Sequence, residues 1–251
     1  MFLAFIIAEK TKSSGYIDTI WSFCVGFFGV LAIFIGDGPL LVTRNFILVS
    51  LVSFWAIRLG WHIFARTNKA PHDPRYAHLR NQWGKNAARN LFAFLQIQAI
   101  CAFILIFAIK LGIARPSQEI SILDIIALLV CIGSIIGETF ADNQLRQYSA
   151  QNKNGVCNVG LWKYSRHPNY FFEFLFWFGI SLFAIDLNQE YYVGYFAFLA
   201  PILIYWLLNF ASGIPPLEAH MLRTRGSKYA QYQKTTRPFF PFPKSEAGKK
   251  V

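Results

Sequence analysis

The stretch Gly160-Leu-Trp-Lys-Tyr-Ser-Arg-His-Pro-Asn-Tyr-Phe-Phe-Glu173 carries a basic, aromatic, polar loop straight into an apolar segment. Pro168 fits the first position of a helix, where its missing N–H costs nothing. The run from Tyr170 to Ile185 is apolar but for Glu173 and Ser181. Asn169 and Glu173 are four apart, so a helix sets them on one face, a turn below the loop. A carboxylate just inside an apolar helix is expensive and needs a reason. An anchoring loop, with Lys163, Arg166 and His167 on lipid headgroups, accounts for the cations. It leaves the Asn/Glu pair unexplained.

Working outward, the 251 residues are 55% hydrophobic and 18% aromatic, with only 15% charged. A soluble domain of this size carries about 25% charged residues. Long apolar runs therefore predict an all-α, multi-pass transmembrane bundle. The formal net charge is +11. Its cations lie between the apolar runs, which favours membrane lipid or a phosphate-bearing cofactor as partner over nucleic acid. Cys24, Cys101, Cys131 and Cys157 form no CxxC pair, and the five histidines are not spaced as a zinc set, so neither a disulfide framework nor a metal site is expected. Met1 to Ala8 lacks the basic start and cleavage site of a signal peptide.

Six full spans are expected, at about 16–35, 40–65, 90–111, 122–140, 168–185 and 191–210. Residues 2–8 form a short helix, since a crossing takes roughly 20 apolar residues. Asp37-Gly38-Pro39 reads as a tight turn. Residues 66–89, including Pro71-His-Asp-Pro-Arg-Tyr76, read as a long basic loop, and 150–159 as another. The fourth span runs on into a polar helix with Glu138, Asp142 and Arg146 at steps of four, a functional stripe or an exposed ion ladder. This topology puts the N-terminus, the 66–89 and 141–167 loops and the C-terminal tail on one side, with twenty of the 24 Lys and Arg. Arg44, Lys110 and Arg115 lie on the other. The positive-inside rule makes the first side cytoplasmic, in the inner membrane of a bacterium or the endoplasmic reticulum of a eukaryote.

On that side Arg146, Lys163, Arg166, Arg223 and Arg225 could meet phosphates, since a guanidinium offers a rigid, bidentate fork. Acids could accept from ribose hydroxyls, and Tyr could stack. That is the equipment for a dinucleotide. No Rossmann or Walker glycine loop is present, so side chains at helix ends must hold it. No GxSxG elbow supports a serine hydrolase. Asp18 either caps the first span or acts within it. Arg58 and His62, four apart, are bundle contacts or site residues. Tyr229 and Tyr232 fit an interfacial aromatic belt or a site.

With these residues in view, the chain resembles the steroid 5-alpha-reductase-like membrane proteins, and within them the bacterial-type branch known as a domain of unknown function. The resemblance runs over nearly the whole chain: the 160–173 stretch, Asp18-Thr-Ile-Trp21, Arg58-Leu-Gly-Trp-His62, Arg75-Tyr76, Ala141-Asp-Asn-Gln-Leu145, Ser212-Gly-Ile-Pro215 with Glu218, and Tyr229, Tyr232 and Phe240-Pro241. It implies one seven-helix, membrane-embedded domain over residues 1–251, with 141–251 including the cofactor-binding half. It also implies NADPH, and reduction of a carbon–carbon double bond conjugated to a ketone in a lipophilic, steroid-like or isoprenoid substrate. Asn169 and Glu173 fall where such proteins orient the nicotinamide and its ribose. Asp142 and Arg146 fall at the ribose–phosphate portion. Tyr164, Arg166 and His167 lie beside them, and Glu218, Arg223, Tyr229 and Tyr232 complete the implied cofactor set. Protonated Asp18 or His62 would polarise the ketone. Two rival readings stand. One is S-adenosylmethionine-dependent methyl transfer of the isoprenylcysteine and phospholipid type, which shares the Arg-His-Pro-Asn-Tyr core. The other is a non-enzymatic lipid-binding membrane protein.

Overall fold

The computed structural model describes residues 1–11, 13–35, 42–69, 73–117, 119–152, 154–188 and 190–242. The expected turn Asp37-Gly38-Pro39, and Pro71 and His72, lie outside the described residues. Among the described residues every regular element is helical. The α-helices are α1 (Phe2–Thr11), α2 (Tyr16–Leu31), α3 (Thr43–Lys69), α4 (Pro74–Trp83), α5 (Ala87–Ala114), α6 (Ile122–Gln151), α7 (Pro168–Leu182), α8 (Leu199–Trp206), α9 (Ile214–Arg225) and α10 (Ser227–Thr235).

Five helical stretches are long and apolar enough to cross a membrane: Tyr16–Phe34, Thr43–Asn68, Arg75–Ala114, Ile122–Gln151 and Tyr192–Arg225. The chain is thus an all-helical protein of multi-pass membrane type. Its outer surface agrees, with Phe54, Trp61, Phe103, Leu129 and Phe140 all exposed. Helix α7, at 15 residues, is not among the five.

Three regions differ from the sequence reading. Most of 66–89 is helix rather than loop: α3 runs to Lys69, α4 covers Pro74–Trp83, and α5 begins at Ala87. Asp73-Pro74 reads as a break, yet it is also a start signal. The Asp73 carboxylate accepts from the Arg75 N–H at 2.9 Å, with Pro74 in the first turn. Gly84, at φ +51°, ends the helix in a conformation that favours glycine. The tail is also helical, with Gly226 at φ +53° separating α9 from α10. The expected last span is broken into a 3-10 segment (Tyr192–Phe198), α8, and a π turn (Leu207–Ala211).

The chain forms two compact units, Met1–Cys131 with Trp177–Leu203, and Ile132–Phe176 with Ile204–Val251. In the first, α2 and α3 pack through small residues. A Cβ added at Gly26 would overlap the Ala56 methyl, and one at Gly60 would stand 2.8 Å from the Phe23 ring. Without a hydrophobic drive between helices in lipid, such close approach supplies the packing energy. Trp55 and Trp177, both fully buried, meet edge to face at 5.0 Å. One end of this unit is pinned by a buried charge cluster. Arg44 donates to the carbonyls of Gly112 (3.1 Å), Arg115 (2.7 Å) and Ser117. Arg115 pairs with Asp124 at 2.6 Å and donates to the Ile185 carbonyl at 3.0 Å. Lys110 donates to the Ile35 carbonyl. In the second unit an aromatic cluster fastens the segment at Phe239, with Tyr205 5.4 Å from Phe239 and Phe239 6.0 Å from Phe171, each edge to face.

Candidate functional site

The 160–167 loop is held by the elements on either side of it in sequence. Gly160, at φ +57°, opens a 3-10 turn through Lys163. The Trp162 indole donates to the Ala141 carbonyl at 2.9 Å, and the Leu161 N–H donates to Gln144 Oε1 at 3.0 Å, tying the turn to α6. Ser165 Oγ donates to the Phe239 carbonyl at 2.7 Å, and the Arg166 N–H to the Arg237 carbonyl at 2.8 Å. Helix α7 then starts at Pro168, where the sequence places it.

Behind this loop sits a buried charge cluster. Arg166 grips Glu218 with two bonds, Nε to Oε1 at 2.7 Å and Nη2 to Oε2 at 3.1 Å. His167 Nε2 lies 3.0 Å from Glu218 Oε1, and Gln233 Nε2 donates to Oε2 at 2.6 Å. A carboxylate accepts only, so His167 carries its proton on Nε2. Burial holds His167 below the usual histidine value, against the upward pull of Glu218. Tyr232 donates to the Trp162 carbonyl. Burial pushes the hydroxyls of Tyr229 and Tyr232 well up, so both stay protonated. Five of the sequence-derived site residues, Arg166, His167, Glu218, Tyr229 and Tyr232, thus converge here. Gln233 joins them, and nothing in the sequence singles it out.

A second group lies where α6 and α7 present acids. Asn169 Nδ2 donates to Asp142 Oδ1 at 3.2 Å, and its Oδ1 accepts from the Tyr170 N–H at 3.1 Å. Asp142, Glu173 and Glu138 are all buried. The stripe of 138, 142 and 146 is therefore not an exposed ladder: only Arg146 is exposed, donating to Asn143 at 3.0 Å. Tyr164 and Arg223 are also exposed.

Further along α6 an open cleft of about 720 Å³ is lined mainly by amides and hydroxyls, among them Tyr148, Asn152, Asn158, Gln231 and Thr235, with Lys228. Its described lining includes no carboxylate. Arg225 Nη1 donates to Asn154, another lining residue, at 3.2 Å. From Asp142 to Asn152 is ten residues, or about 15 Å of helix.

The first unit holds the remaining two candidates. Arg75 donates to one oxygen of Asp18, and the Tyr76 hydroxyl to the other at 2.8 Å. Gln98 Nε2 donates in turn to the Tyr76 oxygen at 3.0 Å. Both oxygens of Asp18 thus accept, and buried Tyr76 is the neutral donor beside it. The signal was an amide, Gln98, inside an apolar span. Burial works to raise the Asp73 carboxyl, but donation from Arg75 overcomes it and holds Asp73 below its usual value. His62 stands half-buried on α3, a turn beyond Arg58. Among the described residues no three His, Cys, Asp or Glu side chains form a metal-binding group.

An uncharacterized protein of Schizosaccharomyces pombe, C594.04c, is 24% identical to the chain over 263 residues, covering 94% of this chain and 74% of that protein. No solved structure matches. The family described as "Protein of unknown function (DUF1295)" matches residues 4–236, a range that takes in every candidate site residue, and the chain belongs to that family.

Proposed function

We propose that the chain is a membrane-embedded, NADPH-dependent reductase of a carbon–carbon double bond conjugated to a ketone in a lipophilic substrate. The observation that carries this reading is the hydrogen-bonded Asp142–Asn169 pair, with Glu173 buried one turn along α7. An amide and two acids can orient a carboxamide and ribose hydroxyls. The cleft along α6 suits a phosphorylated sugar: its described lining offers amides, hydroxyls and Lys228 and no carboxylate. Bound NADPH would supply a hydride to the β-carbon of the enone, with the matching proton taken up at the α-carbon. In this reading Asn169, Asp142 and Glu173 hold that cofactor, and exposed Arg146 and Arg223 draw its phosphates by charge. Tyr76 is the candidate for polarising the ketone, which requires its single O–H to turn from Asp18, its acceptor here, to the substrate oxygen while Gln98 still donates to it.

We also propose that the cation-rich side faces the cytoplasm. The three cations assigned to the other side, Arg44, Lys110 and Arg115, all donate to backbone carbonyls, so packing accounts for them. A reporter fused to the C-terminus should read cytoplasmic; the opposite reading refutes this orientation.

The buried carboxylates Glu138, Asp142 and Glu173 also favour one rival, since a sulfonium cofactor is cationic. Thermal-shift measurements with NADPH, NADH and S-adenosylmethionine on detergent-purified protein separate the two. NADPH should stabilise most. A shift with S-adenosylmethionine alone would replace the reductase reading by methyl transfer.

A further inference from the structure

Helix α10 is employed on two faces. Lys228, Gln231, Tyr232 and Thr235, spaced i, i+3, i+4 and i+7, line the polar cleft. Turned away from these along the helix, Gln233 and the chain just past it meet the buried cluster. Gln233 Nε2 donates to Glu218 at 2.6 Å, while the carbonyls of Gln233 and Thr236 both accept from Arg166 Nη1, at 3.2 and 2.5 Å. One wall of the cleft is therefore fixed from behind by charge.

The cluster has little left to offer a ligand. Glu218 accepts from Arg166 Nε and Nη2, from His167 Nε2 and from Gln233 Nε2, which fills the roughly four acceptor sites of a carboxylate. Arg166 donates from Nε, Nη1 and Nη2. The side chains of Arg166, His167 and Glu218 are 10%, 4% and 12% exposed. Groups this buried and this fully bonded are fasteners. Their sequence separation, 52 residues from Arg166 to Glu218, makes them fasteners of distant chain.

We propose that Arg166, His167 and Glu218 are positioning residues that touch no ligand themselves and act by holding α10 as the wall of a cleft that takes a phosphorylated sugar or nucleotide. The ligand class rests on the functional reading above; the mechanical role does not. Amides and hydroxyls along the cleft suit sugar hydroxyls, and Lys228 suits a phosphate.

The test uses full-length protein in detergent, with hydrogen–deuterium exchange over residues 227–242 and binding of adenosine 2′,5′-bisphosphate as separate readouts. Glu218→Gln should speed exchange across α10 and weaken the bisphosphate roughly tenfold together. Lys228→Gln should weaken binding by a similar factor with α10 exchange unchanged. Gln233→Leu, which leaves the Arg166–Glu218 pair intact, repeats the first test if Glu218→Gln fails to fold. Lost binding in Glu218→Gln with wild-type exchange makes Glu218 a ligand residue and overturns the proposal, as does no change in either readout. If the variants loosen α10 but wild-type protein binds no bisphosphate, the nucleotide assignment falls and the fastening role stands.

Discussion

At the scale of single residues, two side chains test the proposed chemistry. Glu173 is buried on α7 a turn beyond Asn169, where a carboxylate carries a high desolvation cost. If it accepts from a ribose hydroxyl, Glu173→Gln removes a charged hydrogen bond. NADPH affinity should then fall by about 1.5–3 kcal/mol, roughly ten- to hundredfold, in a direct titration. Wild-type affinity in that variant removes Glu173 from the cofactor site. Tyr76 makes the complementary case in the first unit. Its hydroxyl is the proton-bearing group between Asp18 and Gln98. Tyr76→Phe should leave NADPH binding intact and lower enone-dependent NADPH oxidation by roughly 10²–10³-fold, the usual loss on removing one such donor. Unchanged turnover sinks the assignment. Asp18 was visible as a lone acid near the start of an apolar run. That Asp18 is filled by Arg75 and Tyr76 could not be read there, because the partners lie 57 and 58 residues away.

At the scale of elements, the legible features were those with a local cause. Pro168 announces α7, and the apolar runs announce α2, α3, α5 and α6. The features missed were polar helices, which have no apolar stripe to betray them. Helix α4 was hidden because Asp73-Pro74 serves as both breaker and cap, and α9 and α10 because no apolar run marks them in the tail. Close packing of α2 on α3 gives a sharper test. Gly26→Leu forces a side chain into Ala56, which costs about 1–3 kcal/mol of overpacking. Gly133→Leu on α6 is the control, since a Cβ there meets nothing within 4 Å. Thermal denaturation in detergent should show a lowered midpoint for the first and not the second. Equal effects mean that α2 does not depend on close approach.

At the scale of the whole molecule, protonation adds a dependence that no single helix reveals. His167 is buried and neutral, with its folded pKa below the ordinary value of about 6.5. Between the folded and unfolded values the unfolded chain binds more protons. Stability is therefore intact above about pH 6.5 and is lost as pH falls through that interval, by up to ~1.4 kcal/mol per pH unit. Melting temperatures between pH 7.5 and 5 should fall less steeply in His167→Gln than in wild type; parallel curves count against this. The bridge between Ser165 and Arg237 bears on when the second unit can close during biosynthesis. The loop that opens α7 leaves the ribosome well before the segment it pairs with. Until Arg237 and Phe239 have emerged, Ser165 and Arg166 lack these partners, so the second unit can close only after residue 239 has left the ribosome. A stop codon at residue 236 should then yield a chain that inserts normally and is cleared by quality-control proteases, with its first unit already formed.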